Sequence, residues 1–325
     1  MKIYHQTDAS ARPAIAWERD SVPMTSIPRP ALAQPQASLT PFACLLAVGS
    51  LLGVTANLTK IAAGAGWPPL AFLSWSIFPA GLILLGFATV LSEAPGRRRS
   101  DFTYYVVCGF FSIAAPNALG FGAVAHVGAS FVSLCLALPP LLTYAAALAL
   151  RMERFKAARA IGILFGLAGA ATLAIAKTSG AAAEPFWIMG ALSSPIFITF
   201  GNIYRTLRWP PGASALSLAP GMLIAGALLT IPIMALADVP FAPNAFRSEP
   251  LWLLGAQTLV FTLTYALYFI LQKIAGPVYL SQIGSVAAVV GGALAVLALG
   301  EPAGPALFAA AGLILVGVVL VNRRR

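Results

Sequence analysis

Residues 117–153 read NALGFGAVAHVGASFVSLCLALPPLLTYAAALALRME, and 148 positions later residues 265–301 read YALYFILQKIAGPVYLSQIGSVAAVVGGALAVLALGE. Laid over one another without a gap, Ala118 meets Ala266, Leu119 meets Leu267 and Phe121 meets Phe269. Gly128 then meets Gly276, Ser133 meets Ser281, Ala145 and Ala147 meet Ala293 and Ala295, and Glu153 meets Glu301. Alanine and leucine coincide often in so apolar a chain, so the shared glycine and glutamate carry more of the weight. A spanning helix takes about 20 residues, so a period of this length holds five helices with their connectors. An odd number of spans leaves the second copy upside down relative to the first.

The rest of the chain agrees. Of 325 residues, 59% are hydrophobic and 9% are charged, whereas an ordinary soluble domain carries roughly 25% charged residues. The net charge of +10 does not point to nucleic acid, because the basic residues are scattered between apolar runs instead of clustered on a polar domain. Spans are expected at 42–62, 69–91, 103–124, 129–150, 159–176, 185–206, 214–236, 251–273, 277–299 and 304–322. They must be helices, since an open sheet edge has no hydrogen-bond partner in hydrocarbon. The fold class expected is therefore an all-α membrane protein of ten helices in two inverted five-helix repeats. Residues 1–40, with Pro13, Pro23, Pro28, Pro30 and Pro35 and no apolar run, read as a disordered cytoplasmic tail. Residues 41–178 and 184–325 read as the two repeats. Cys44, Cys108 and Cys135 lie in apolar runs, unpaired by spacing, and read as small apolar packing residues.

Orientation follows from lysine and arginine. With the N-terminus inside, the cytoplasmic connectors and C-terminus hold Arg97, Arg98, Arg99, Arg151, Arg154, Lys156, Arg159, Arg205, Arg208, Lys273, Arg323, Arg324 and Arg325. The exterior receives only Lys60, Lys177 and Arg247. Thirteen cations against three place both termini in the cytoplasm. The expected location is the cell membrane, of bacterial inner-membrane type.

From Ala129 to Ala171 the chain carries Pro139–Pro140, then Arg151-Met-Glu153-Arg154, then Gly162, Gly166 and Gly169. The second copy closes on Leu299-Gly300-Glu301 and Gly312-Leu-Ile-Leu-Val-Gly317. These stretches resemble the end of an EamA domain of the drug/metabolite transporter superfamily, and the resemblance covers about 42–322. It implies two inverted five-helix halves around a central cavity. It also implies transport of small metabolites, often amino acids or related compounds and often outward. The chain departs from the family pattern at Ala288, where a proline often stands thirteen residues before the second glutamate, and after Pro69, where Ser74 and Trp75 replace a frequent arginine.

Little in the sequence suggests an enzyme. There is no phosphate loop of the Walker type, and the histidines are only His5 and His126, too few for a haem or zinc centre within the spans. No cofactor or metal is expected. A membrane enzyme or receptor without transport activity is the alternative class. All ten acidic residues fall in the tail or near span ends, which argues against a cation antiporter built on a midplane carboxylate. Glu153 and Glu301 each precede a helix, where a negative charge meets the positive end of the dipole. The polar groups left in the membrane are Asn57, Asn117, Asn202, Tyr265, Tyr268, Ser281, Gln282 and Ser285. Such groups either bond between helices or line a cavity. Asn57, Asn117, Asn202, Tyr265 and Gln282 are the candidate substrate-binding residues, together with Lys60. Asn57-Leu-Thr-Lys60 and Asn202-Ile-Tyr-Arg205 share an N-x-x-[K/R] spacing that puts amide and cation on one helix face. The two cations are expected at opposite mouths of the cavity. Gly284, Ala288 and Gly292 form a small-residue stripe, as do Gly162 and Gly166, the latter suited to packing within the chain or in a homodimer. The expected partners are thus a small-molecule substrate, the lipid bilayer and a second copy of the chain.

The orientation is testable in a cysteine-free background. Single cysteines at Arg98 and Arg154 should be shielded from an impermeant thiol reagent added to intact cells, and one at Pro243 should label. Labelling at Arg98 without labelling at Pro243 would reverse the orientation.

Overall fold

The computed structural model describes residues 39–150, 155–179, 185–242, 251–280 and 282–322. The expected tail up to residue 38, Glu153, Arg154, Pro243 and Ser281 lie outside the described residues. The helices are α1 (Leu39–Gly64), α2 (Pro69–Val90), α3 (Arg99–Gly109), α4 (Ala115–Val127), α5 (Ala129–Cys135) and α6 (Pro139–Ala149). They continue as α7 (Ala157–Ser179), α8 (Pro185–Leu207), α9 (Ala215–Leu236), α10 (Leu251–Leu280), α11 (Ile283–Leu297) and α12 (Pro305–Asn322). A π-helical turn, Phe110–Ala114, joins α3 to α4 as one span, and α5 and α6 form another. Among the described residues, seven spans meet the length and hydropathy of a membrane crossing by themselves, and three shorter apolar helices complete ten. Val90, Leu236 and Leu297 are 81–90% exposed. Side chains of this kind fit a surface solvated by lipid.

Packing follows the inverted repeat. In span order, each helix of the first half corresponds to the one five places later. Counterparts pack on each other: α2 on α9, α5 on α11, and α7 on α12. The remaining contacts come in matched sets. Helix α1 packs on α10 and α11 as α8 packs on α4 and α6, and α3 packs on α9 as α10 packs on α2. Helix starts are capped where they meet water. The Asp101 carboxylate accepts from the Arg98 N–H at 3.0 Å, and the Ser214 hydroxyl accepts from the Ser217 N–H at 3.0 Å.

The structure adjusts three sequence expectations. Helix α10 runs to Leu280, beyond the expected end at 273, because a proline such as Pro277 removes one donor and need not stop a helix. The fourth span is broken: the N–H groups of Leu136, Ala137 and Leu138 bond to carbonyls three residues back at 3.0–3.1 Å, and Pro139–Pro140 open α6, where prolines fit a first turn. Helix α11 lies so close to this break that a methyl group at Gly284 would overlap the Leu136 carbonyl oxygen. Third, the Gly162–Gly166 stripe is occupied within the chain. A methyl group added to Gly317 on α12 would sit 2.5 Å from the Gly162 carbonyl and 2.9 Å from the Gly166 nitrogen.

Backbone contact this close has no room for a side chain. Gly317→Ala should cost about 1–3 kcal/mol, read as a lower thermal midpoint in detergent. Gly86→Ala on α2, where an added methyl meets nothing within 4 Å, should be neutral or slightly stabilising. Equal midpoints for the two variants would mean that α7 and α12 are not in backbone contact.

Candidate functional site

Helices from both halves meet around a central cavity of about 70 Å³. Helix α1 supplies Thr55 and Ala56, α4 supplies Asn117, α5 supplies Val132, α8 supplies Ser194 and Arg205, and α10 supplies Tyr265 and Tyr268. Local breaks shape its wall. The π turn carries Ser112 into the lining and is followed at once by Pro116, and single π turns recur at functional sites because they re-aim side chains. Pro116 has no N–H to donate backward; its own carbonyl accepts from the Ser194 hydroxyl at 2.9 Å. The Asn117 amide donates to the Ile113 carbonyl at 2.8 Å.

Arg205 is the unusual member. It stands in the last turn of α8, yet it is 1% exposed. Its Nε donates to Gln272 Oε1 at 3.1 Å. Its Nη1 donates to the Ser112 hydroxyl at 2.5 Å and meets the Met222 sulfur at 3.5 Å. Its Nη2 donates to the Tyr268 hydroxyl at 2.5 Å and to Asn202 Oδ1. Tyr268 in turn donates to Asn202 Oδ1 at 2.7 Å. The guanidinium carbon lies 4.9 Å from the Tyr268 ring centre and 5.9 Å from that of Phe269.

A second polar cluster lies at the other end of the bundle. Lys60 Nζ donates to Glu301 Oε1 at 2.5 Å. The same carboxylate accepts from the backbone N–H groups of Ala129 at 2.7 Å and Ser130 at 3.0 Å, and from the Ser130 hydroxyl at 2.5 Å. Gly128, at φ +89°, turns the chain between α4 and α5 so that these donors face Glu301. A side chain there would be strained, and its Cβ would stand 3.0 Å from the carboxylate. Burial acts to raise the Glu301 pKa, but the hydrogen bonds from Lys60, Ser130 and Ala129 outweigh it and hold the group below the usual carboxylate range. One carboxylate thus ties together the end of α1, the α4–α5 turn and the α11–α12 connector.

The sequence candidates separate into three groups. Asn117 and Tyr265, superposed by the 148-residue shift, both line the cavity. Asn57 and Asn202 are buried just behind its wall: the Asn57 amide donates to the Gly291 carbonyl of α11 at 3.0 Å, and Asn202 holds Arg205. Gln282 sits at the break between α10 and α11, and Lys60 is engaged by Glu301. Of the two cations expected at opposite mouths, Lys60 is paired with Glu301 and Arg205 lines the cavity. Glu301 also departs from expectation, because it receives the N–H groups of α5 and not those of the following α12. Sequence reasoning missed Ser112, Ser194 and Gln272. Only the N-x-x-R spacing hinted at Arg205, and the positive-inside count explained that cation in another way.

A helical bundle of two inverted halves, with exposed apolar side chains on its outside and a mainly apolar cavity carrying a few polar groups where the halves meet, has the architecture of a membrane carrier for small solutes. The match to a known family is direct: residues 41–175 and 185–323 each match the EamA-like transporter family, and the chain belongs to it. No curated protein matches the chain. It is similar to a solved crystal structure at 19% identity and a TM-score of 0.61, over 87% of this chain and 95% of the other. A likeness at that identity shows the fold alone.

The Glu301 cluster makes a stability prediction. At neutral pH Glu301→Gln should cost about 1.5–3 kcal/mol, the range for hydrogen bonds to a charged group. Lys60→Gln should cost less, because that side chain is 35% exposed. A carboxylate whose folded pKa is depressed contributes stability above its unfolded pKa and loses it as pH falls through the folded value. The gap between wild type and Glu301→Gln should therefore close only in acid, below the ordinary carboxylate range. Thermal unfolding against pH checks this, and a gap that closes between pH 6 and 8 would contradict it.

Proposed function

We propose that the chain is a secondary carrier that exports a small organic metabolite, such as an amino acid or a related solute, across the cell membrane by alternating access. The supporting observation is the cavity itself. It is built from helices of both halves and lies where inverted-repeat carriers hold their substrates. At about 70 Å³ it is far smaller than the roughly 300–1,000 Å³ of a typical ligand site, so it corresponds to a contracted state that must widen to admit a solute. The tie of Lys60, Glu301 and the Ala129–Ser130 backbone closes the end where α1 and the α11–α12 connector meet. With both termini in the cytoplasm that end is the outer one. Arg205, in the last turn of α8, then belongs to the inner half, which an outward-bound solute reaches first.

In this reading Asn117 and Tyr265 contact the solute. Asn57 and Asn202 hold the wall, Gln282 stands at the start of α11, and Lys60 belongs to the outer gate. Purified protein in liposomes should show saturable flux of at least one member of an amino-acid and metabolite panel. Asn117→Ala and Tyr265→Phe should each lower that flux about 10-fold, the worth of one hydrogen bond of roughly 1.4 kcal/mol, with membrane abundance unchanged. Absence of saturable flux across the panel would overturn the carrier reading. Flux falling only in proportion to abundance would make these two residues structural.

A further inference from the structure

The Arg205 guanidinium carries a charge that no described residue neutralises. Its five N–H groups all find acceptors, but each partner is neutral: Gln272, Ser112, Met222, Asn202 and Tyr268. No carboxylate of a described residue lies within salt-bridge distance of it. Arg205 stands in the last turn of its helix but is 1% exposed, and hydrogen bonds to neutral groups leave the charge itself uncompensated, which is costly for a buried ion. The usual remedy is an ion pair, and the one carboxylate seen in a cluster of this kind, Glu301, is already engaged by Lys60.

We propose that the missing counter-charge is the substrate's, and that the cavity takes solutes bearing a carboxylate, with Arg205 as the residue that receives it. The proposal rests on the carrier reading and names the substrate class of the same cavity. The geometry supports a planar, two-oxygen ligand. Nη1 and Nη2, at the open end of the guanidinium, are held by the Ser112 and Tyr268 hydroxyls at 2.5 Å, and both of these residues line the cavity. A carboxylate entering the cavity can replace the two hydroxyl oxygens with a pair of parallel, charge-assisted bonds. Each displaced hydroxyl can turn and donate to the incoming oxygen. Gln272 on Nε and Asn202 on Nη2 hold the guanidinium plane meanwhile, which reduces the ordering cost of binding. Asn117 and Tyr265 remain for the uncharged part of the solute. A lysine could not substitute fully, because it offers a point charge without the fork.

Gln272 provides a test that does not remove the arginine. Its Oε1 receives Arg205 Nε, while its Nε2 has no partner among the described residues. Gln272→Glu would place a permanent carboxylate on Arg205 and remove that unpaired donor. The probes are acetate, lactate, pyruvate and the standard L-amino acids, each compared with its primary amide, and the readout is thermal stabilisation of the full chain in detergent. Wild type should be stabilised by at least one carboxylate, with the matching amide about 30-fold weaker. Arg205→Gln should lose the distinction between acid and amide, and Arg205→Lys should keep part of it. Gln272→Glu should raise the midpoint without any ligand and abolish the response to carboxylates, so the proposal remains testable even where Arg205→Gln does not fold. It is overturned if no carboxylate outperforms its amide on wild type, or if Gln272→Glu leaves the carboxylate response intact. Saturable flux of a solute with no acid-over-amide preference would overturn the anion site and leave the carrier reading standing. Carboxylate-specific stabilisation without flux would do the reverse.

Discussion

Hydrocarbon offers polar groups no water, so each must find its partner within the protein. That constraint organises the bundle at every level. It requires helices, and it makes their irregularities informative. Where the fourth span breaks between Cys135 and Pro139, the freed backbone tightens into bonds of 3.0–3.1 Å and lies against α11. Where Pro116 interrupts the third span, its carbonyl takes the Ser194 hydroxyl of the opposite half at 2.9 Å. The breaks therefore do not expose backbone to lipid. They move polar groups to the surface between the halves, and the cavity forms there.

The same constraint separates the two cations of the N-x-x-[K/R] pair. Lys60 and Arg205 occupy comparable places in the two repeats, but the structure treats them differently. Lys60 is partly exposed and paired with an acid, the inexpensive arrangement for a long flexible cation. Arg205 is fully buried among neutral acceptors, which is costly unless a charge arrives from elsewhere. An inverted repeat allows such divergence, because equivalent positions end at opposite faces and are free to take different roles. The acid that meets Lys60 also closes the turn at Gly128, so this cluster is as much a fastening between three segments as an ion pair.

Much of the architecture was legible in the sequence, and the reason is physical. Span length and the glycine and glutamate in one register follow from the bilayer, which acts on local composition. The coincidence of Asn117 and Tyr265 at the cavity was legible for the same reason, since the repeat transfers depth from one half to the other. What could not be read were contacts between positions far apart in the chain. Lys60 meets Glu301 across 241 residues and Arg205 meets Ser112 across 93. No periodicity signals such pairs. Asn57 illustrates the limit for a single residue: an amide in a spanning helix must bond to something, and only the approach of Gly53 to Gly291 decides that its partner is the α11 backbone.

The absence of a midplane carboxylate among the acidic residues first appeared as negative evidence, directed against cation transport. Beside Arg205 it becomes positive. A bundle that positions a buried carboxylate attracts cations, and one that positions a buried guanidinium with only neutral partners attracts anions. The two designs cannot share a cavity without neutralising each other. The placement of the acids away from Arg205 and the lack of a charged partner for it among the described residues are therefore one feature seen twice. No described carboxylate pairs with the guanidinium, and Glu301 is held instead on Lys60 and the Ala129–Ser130 backbone, bound by a cation and two N–H groups of its own.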